Sequence, residues 1–124
     1  MIYKEISYKD YWDLQDQTGA YLILYPSRDK VWFFNGLLHR EDGPAFERAD
    51  GTKFWCLNGF FHREDGPAVE WANGDKEWWF HGKRHRIDGP AKDWPNRTTE
   101  WYLHGNRYET EEEWEIAKIK DLIV

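Results

Sequence analysis

The chain has little of several things that would announce a chemistry. Cys56 is the lone cysteine among 124 residues, so no internal disulfide can form and no CxxC pair offers a redox or zinc site. No apolar run approaches the length of a membrane span, so no membrane partner is expected. There is no basic excess either: the formal net charge is -6, and residues 1–30, 31–108 and 109–124 carry -1, -1 and -4. Non-specific nucleic-acid binding needs a basic surface that releases counterions, so nucleic acid is disfavoured as a direct ligand. A phosphate-cradling Gly loop and a paired-carboxylate signature are both missing. Nothing here argues for an enzyme, a cofactor or a resident metal. With no signal-peptide pattern at the N-terminus, the expected compartment is the cytoplasm.

What the chain has in excess is aromatic side chains, 19% of residues, with nine tryptophans, and 40% hydrophobic residues overall. That composition argues for a folded domain. The aromatics fall into a period of 23 residues. Trp32, Trp55, Trp78 and Trp101 are in strict register, as are Asn35-Gly36, Asn58-Gly59, His81-Gly82 and His104-Gly105. A longer signature, His-Arg-x-Asp-Gly-Pro-Ala, starts at His39, His62 and His85. A period in the twenties implies a stack of identical supersecondary units.

One unit reads as a hairpin with a connecting turn. In Ala68 to Gly82, strand-like runs at roughly 68–71 and 76–80 flank Ala72-Asn73-Gly74-Asp75. Asn-Gly between such runs is a hairpin signal, because both residues tolerate positive φ. Asp88-Gly89-Pro90 then reverses the chain again. Hairpins are predicted near 22–34, 45–57, 68–80 and 91–103, with Pro95-Asn96-Arg97 loosening the last turn. The expected fold is all-β, an open, twisted antiparallel meander of stacked hairpins. Residues 1–20 form an N-terminal cap, 21–108 the array of about four units, and 109–124 an acidic capping helix. Thr110-Glu111-Glu112-Glu113 has a capping-box pattern, and Trp114, Ala117, Ile119 and Ile123 offer the helix an apolar side. A second short helix is predicted over Ser7 to Gln17, starting at Ser7 and Asp10, with Gly19 just past its end.

The pattern Asn-Gly-x-x-His-Arg-x-Asp-Gly-Pro-Ala followed by Gly-Thr-Lys-Phe-Trp or Gly-Asp-Lys-Glu-Trp resembles a MORN repeat. More narrowly, it is similar to the variant MORN-like repeat of small bacterial and bacteriophage proteins. Residues 31–108 carry it directly. The resemblance implies an elongated sheet of hairpins, interaction roles and no shared catalytic residues. The familiar His-Gly-x-Gly of MORN repeats is His-Arg-x-Asp-Gly-Pro here, so lipid binding does not carry over. A phage-encoded product of this kind would work in the host cytoplasm, and by analogy could bind and inhibit a bacterial defence complex.

Each candidate chemistry has a plainer reading. Metal ligands must sit about 2 Å from one ion. Equivalent histidines in successive hairpins lie at least two strand spacings apart, roughly 10 Å, and cannot share it. His39, His62, His85 and their Asp partners are therefore expected to bond locally around the Gly-Pro turn. Arg40, Arg63 and Arg86 could line a phosphate-binding edge, but each has an acidic residue two positions on with which to pair. Cys56 could act as a thiol with His62 as its base. It stands where sister units have Phe33, Trp79 and Tyr102, so an apolar filler is expected.

By strand alternation, Trp32, Trp55, Trp78 and Trp101 share one face with Phe34, Leu57, Phe80 and Leu103, and this ladder is expected to be core. The opposite face runs Val31/Phe33, Phe54/Cys56, Glu77/Trp79, Glu100/Tyr102, apolar early and polar late. The pair after each turn follows the same gradient: Leu37-Leu38, Phe60-Phe61, Lys83-Arg84, Asn106-Arg107. Either the N-terminal segment covers Phe33, Leu37, Phe54 and Phe60, or this surface stays open as an interface. The expected function is a non-catalytic module binding another protein, with Phe60, Trp79, Lys83, Arg84, Tyr102 and Arg107 as contacts. The alternatives are nucleotide or phosphate capture on the His-Arg face, or a self-assembling scaffold.

Overall fold

The computed structural model describes residues 1–96 and 98–123, with side chains for all of these except 122 and 123. Arg97 of the last predicted turn and the Ile123 side chain thus lie outside the described residues. In chain order, the N-terminal elements are β1 (Lys4–Ser7) and α1 (Tyr8–Trp12), followed by β2 (Ala20–Leu24), β3 (Lys30–Phe34) and β4 (Leu37–Leu38). Next come β5 (Phe46–Glu47), β6 (Lys53–Phe54), β7 (Cys56–Leu57) and β8 (Phe60–Phe61). The same set recurs as β9 (Val69–Glu70), β10 (Lys76–Glu77), β11 (Trp79–Phe80) and β12 (Lys83–Arg84). The chain ends with β13 (Lys92–Trp94), β14 (Thr98–Leu103), β15 (Asn106–Tyr108) and α2 (Glu111–Ile123).

Among the described residues the principal sheet has 11 strands, in the order β1-β2-β3-β5-β6-β9-β10-β13-β14-β15 with β4 paired to β3. β7-β8 and β11-β12 are separate two-stranded ladders. The sheet is mixed, where the sequence predicts an antiparallel one: β1 runs parallel to β2, Lys4 opposite Tyr21 and Ser7 opposite Leu24. The N-terminal segment thereby covers a strand edge that would otherwise present unpaired backbone groups. The N-terminal helix starts at Ser7 as predicted but is shorter, five residues, because it ends at Trp12 with Asp13 as its C-cap instead of running on to Gln17. Ser7 is its N-cap, with Oγ accepting the Asp10 N–H at 3.1 Å.

Two kinds of turn alternate. At Asn35-Gly36, Asn58-Gly59, His81-Gly82 and His104-Gly105 both residues have positive φ, 47–51° for the first and 76–84° for the glycine. That is the mirror-image turn matching strand twist, and Asn and His tolerate its left-handed first position. At 73–74, by contrast, only the glycine is left-handed, at 95°. Asn73 instead bonds locally, its Oδ1 accepting the Asp75 N–H at 3.0 Å. Each of the first three ladder tryptophans marks a change of partner. The Trp55 N–H donates to Ala68 O at 2.7 Å, while its carbonyl accepts from His62 N at 3.0 Å. Trp32 and Trp78 bond in the same way to Ala45 and His39, and to Ala91 and His85.

Cross-strand partners share a face, which fixes the two sides of the sheet. On one side Tyr11, Ile23 and Val31 form a buried cluster, with Tyr11 stacked on Phe33 at 5.4 Å between ring centres. The rings continue through Phe46, Phe54, Phe61 and Trp79, successive centres 5.4–5.5 Å apart. The N-terminal segment therefore covers Phe33. It does not cover Leu37 and Phe60, which are 48% and 62% exposed. Leu57 pairs with Phe60 on the other side of the strand from Cys56 and Phe61, so one cap cannot reach both sets.

Candidate interaction surface

The recurring signature is explained by contacts within the protein. The Arg63 guanidinium lies 3.9 Å from the Trp55 ring centre, its Nε donates to Asp65 at 3.2 Å, and its Nη1 donates to Pro67 O at 3.0 Å. Arg40 over Trp32 and Arg86 over Trp78 repeat this at 4.0 and 3.6 Å. The first three ladder tryptophans are thus cation-covered platforms, and the ladder is not the dry core the alternation predicts: Trp32 is buried, but Trp55, Trp78 and Trp101 are half-buried. Gly43, Gly66 and Gly89 are glycine because a Cβ there would sit 2.8, 2.9 and 2.7 Å from the guanidinium carbon. Ala45, Ala68 and Ala91 are fully buried.

The histidines bond locally only in part: Nε2 of His39 and His62 faces the glutamate of its own loop at 3.5 and 3.8 Å, while Nδ1 clamps the next unit. The N–H groups of Asn58, His81 and His104 donate to Nδ1 of His39, His62 and His85, each at 2.9 Å. Nδ1 must be unprotonated to accept, so the neutral ring carries its proton on Nε2. Burial first, and then the neighbouring His81 or His104, push His62 and His85 below the ordinary histidine pKa. Among the described residues no three His, Cys, Asp or Glu converge as a metal site requires. Burial pushes the Cys56 thiol up to about 12, far from a nucleophilic thiolate.

The fourth unit breaks the pattern. Glu109 stands where the arginine would be, and Trp114 of α2 covers Trp101 instead, ring centres 4.6 Å apart. Trp114 Nε1 donates to Arg86 O at 3.1 Å. Of the apolar positions predicted for this helix, Trp114 is buried and Ala117 half-buried, while Ile119 is exposed.

The variable positions build a different site on the opposite face. Glu77, only 5% exposed, accepts from Trp71 Nε1 at 3.0 Å, Trp79 Nε1 at 3.3 Å and Arg84 Nη2 at 2.8 Å. Arg84 lies between two rings, 4.9 Å from the Trp79 centre and 5.5 Å from that of Tyr102. The Tyr102 hydroxyl donates to Glu100 at 2.8 Å, and Glu100 also pairs with Lys92 at 3.4 Å and Arg107 at 4.0 Å. Burial alone would raise the Glu100 pKa; Tyr102, Lys92 and Arg107 outweigh it and hold the carboxyl below its usual range.

Of the six residues singled out from sequence, Trp79, Arg84 and Tyr102 come together, and Arg107 joins them through Glu100. Phe60 and Lys83 lie on the other face, because Lys83 pairs with Phe80 and Phe60 with Leu57. There they pack on the next unit's turn, Phe60 against Gly82 and Lys83 against Gly105. Sequence reasoning missed Glu77 and Glu100 as the centres of the cluster. The available signal was a carboxylate in the alternation slot that holds Val31 and Phe54 in earlier units. Comparison with protein-family models, curated proteins and solved structures finds no match for this chain.

Proposed function

We propose that this chain is a MORN-type repeat protein, its hairpins forming an open, twisted meander, and that it is a non-catalytic module binding another protein. The observation that carries this reading is Arg84, held between Trp79 and Tyr102 and backed by the buried carboxylate of Glu77. Arginine and large aromatics are the anchors of interface hot spots, and here a salt bridge and two rings pre-organise them at positions where the units diverge. The phosphate-capture alternative has less support, because Arg40, Arg63 and Arg86 already donate to an aspartate and a proline carbonyl. From the resemblance alone, we extend the proposal to a phage accessory protein that binds and inhibits a host-defence complex in the bacterial cytoplasm.

The test is affinity capture from bacterial lysate with the native protein, a Trp79→Ala/Arg84→Ala variant and an Arg107→Glu variant, each checked for folding. The captured protein is then titrated in purified form. A stoichiometric partner retained by the native chain and weakened by both variants is the expected result. A partner bound equally by all three overturns the assignment of this face.

A further inference from the structure

We propose that the grooves between successive His-Arg loops take up a basic segment of a partner protein, its lysine heads received by loop carbonyls as that of Lys118 is received by Ile87. Two such grooves are built from the same parts one unit apart. The first, about 720 Å³, lies between 40–44 and 62–65 over Trp55 and Leu57. The second, about 530 Å³, lies between 63–66 and 85–88 over Trp78 and Phe80. At the third place in the series α2 forms the far wall in place of a fourth loop, leaving a cleft of about 450 Å³ lined by Ile87, Leu103 and Lys118 among others. Trp114 covers Trp101, and Leu103 is buried beneath. Lys118 Nζ donates to the Ile87 carbonyl at 2.9 Å, 3.8 Å from the Trp114 ring centre. The chain itself therefore shows a carbonyl of this loop accepting a lysine head.

Charge selects the occupant. Glu41 and Glu64 stand on the groove rims with side chains 69 and 80% exposed; Asp42, Asp65 and Asp88 beside them are already paired with Arg40, Arg63 and Arg86, so the rim charge that meets a partner is that of the two glutamates. The arginines of the same loops are sunk beneath them, 19–22% exposed and stacked on tryptophan. An approaching chain thus meets carboxylates first and apolar floor below, which suits the ammonium and aliphatic stem of lysine. The glutamate of the first two loops becomes Ile87 in the third, 65% exposed at the cleft beside α2. Successive grooves are two strand spacings apart, roughly 10 Å, the distance between every third residue of an extended segment. This face is opposite the Arg84 cluster, so the inference stands or falls separately from that assignment.

Fluorescence anisotropy with a fluorescein-labelled peptide repeating Lys-Gly-Ser tests it, alongside peptides with Glu or Leu in place of Lys. Glu41→Lys/Glu64→Lys reverses the rims, and Glu41→Gln/Glu64→Gln provides a milder pair. Glu5→Lys/Asp13→Lys makes the same net-charge change at exposed positions elsewhere. The lysine peptide should bind in preference to both others. Rim reversal should weaken it about tenfold and the remote pair by no more than about twofold. No binding, equal loss in both charge-reversed pairs, or equal binding of the Leu or Glu peptide would each overturn the proposal.

Discussion

The contact between Arg63 and Gly66 shows how a single hydrogen atom can decide a repeat signature. The guanidinium is held by Trp55, Asp65 and the Pro67 carbonyl, so it cannot retreat from a methyl group placed 2.9 Å away. Gly66 does not have positive φ, so alanine there meets a steric obstacle rather than a backbone one. Gly66→Ala should therefore cost about 1–3 kcal/mol by overpacking. In an Arg63→Ala background the same change should cost almost nothing, and urea denaturation of the four proteins closes that cycle. An equal cost in both backgrounds would mean that the glycine serves the loop backbone instead. Cys56 makes a second prediction at this scale. It is 1% exposed and its thiol is pushed up to about 12, so it should resist alkylation by iodoacetamide in native protein and react once the chain is unfolded.

Among the elements, α2 replaces a fourth arginine loop. Trp114 takes the ring face that Arg40, Arg63 and Arg86 take in the earlier units, and it is 2% exposed. Trp114→Ala should destabilise by about 3–5 kcal/mol. Hydrogen exchange should show the loss concentrated in β14, β15 and α2, while β1 to β6 stay protected; uniform loss would contradict a cap. The start of this helix was legible in the sequence because capping is local: Thr110 Oγ1 accepts the Glu113 N–H at 3.1 Å. The reciprocal bond falls one residue early, from Glu109 N–H to Glu113 at 3.2 Å. Turn positions were legible for the same reason, since Asn-Gly and His-Gly carry their φ preferences wherever they occur. β1 was not, because Lys4 finds its partner at Tyr21 by parallel pairing and no local pattern encodes that. Strand alternation correctly separated the two faces, but not what would cover the tryptophans. A cation settling on a ring depends on loop geometry, and Arg-x-Asp in sequence discloses only the ion pair.

At the scale of the whole molecule, the histidines tie one unit to the next, and that tie depends on their being neutral. His62 and His85 each accept a backbone N–H from the following unit, and each ring lies 4.1 or 4.4 Å from a second imidazole. Protonation would remove the acceptor and set two cations face to face, which agrees with the lowered pKa of both. The unfolded chain, free of these constraints, takes up the protons first. Stability is therefore full above the ordinary value of 6.5, falls as pH drops through it, and levels off below the folded-state values. Glu100 acts in a lower window. Its depressed pKa adds stability above its ordinary 4.5, lost as pH falls through the folded value. Acid unfolding should thus begin with a histidine step that precedes the carboxylates. Chemical-denaturation midpoints measured from above 6.5 to below 4.5 should resolve the two. His62→Gln with His85→Gln keeps a side-chain acceptor that does not titrate, and should flatten the first step while leaving the second. If the first step survives that double change, protonation elsewhere governs it, and the clamps between units are insensitive to acid.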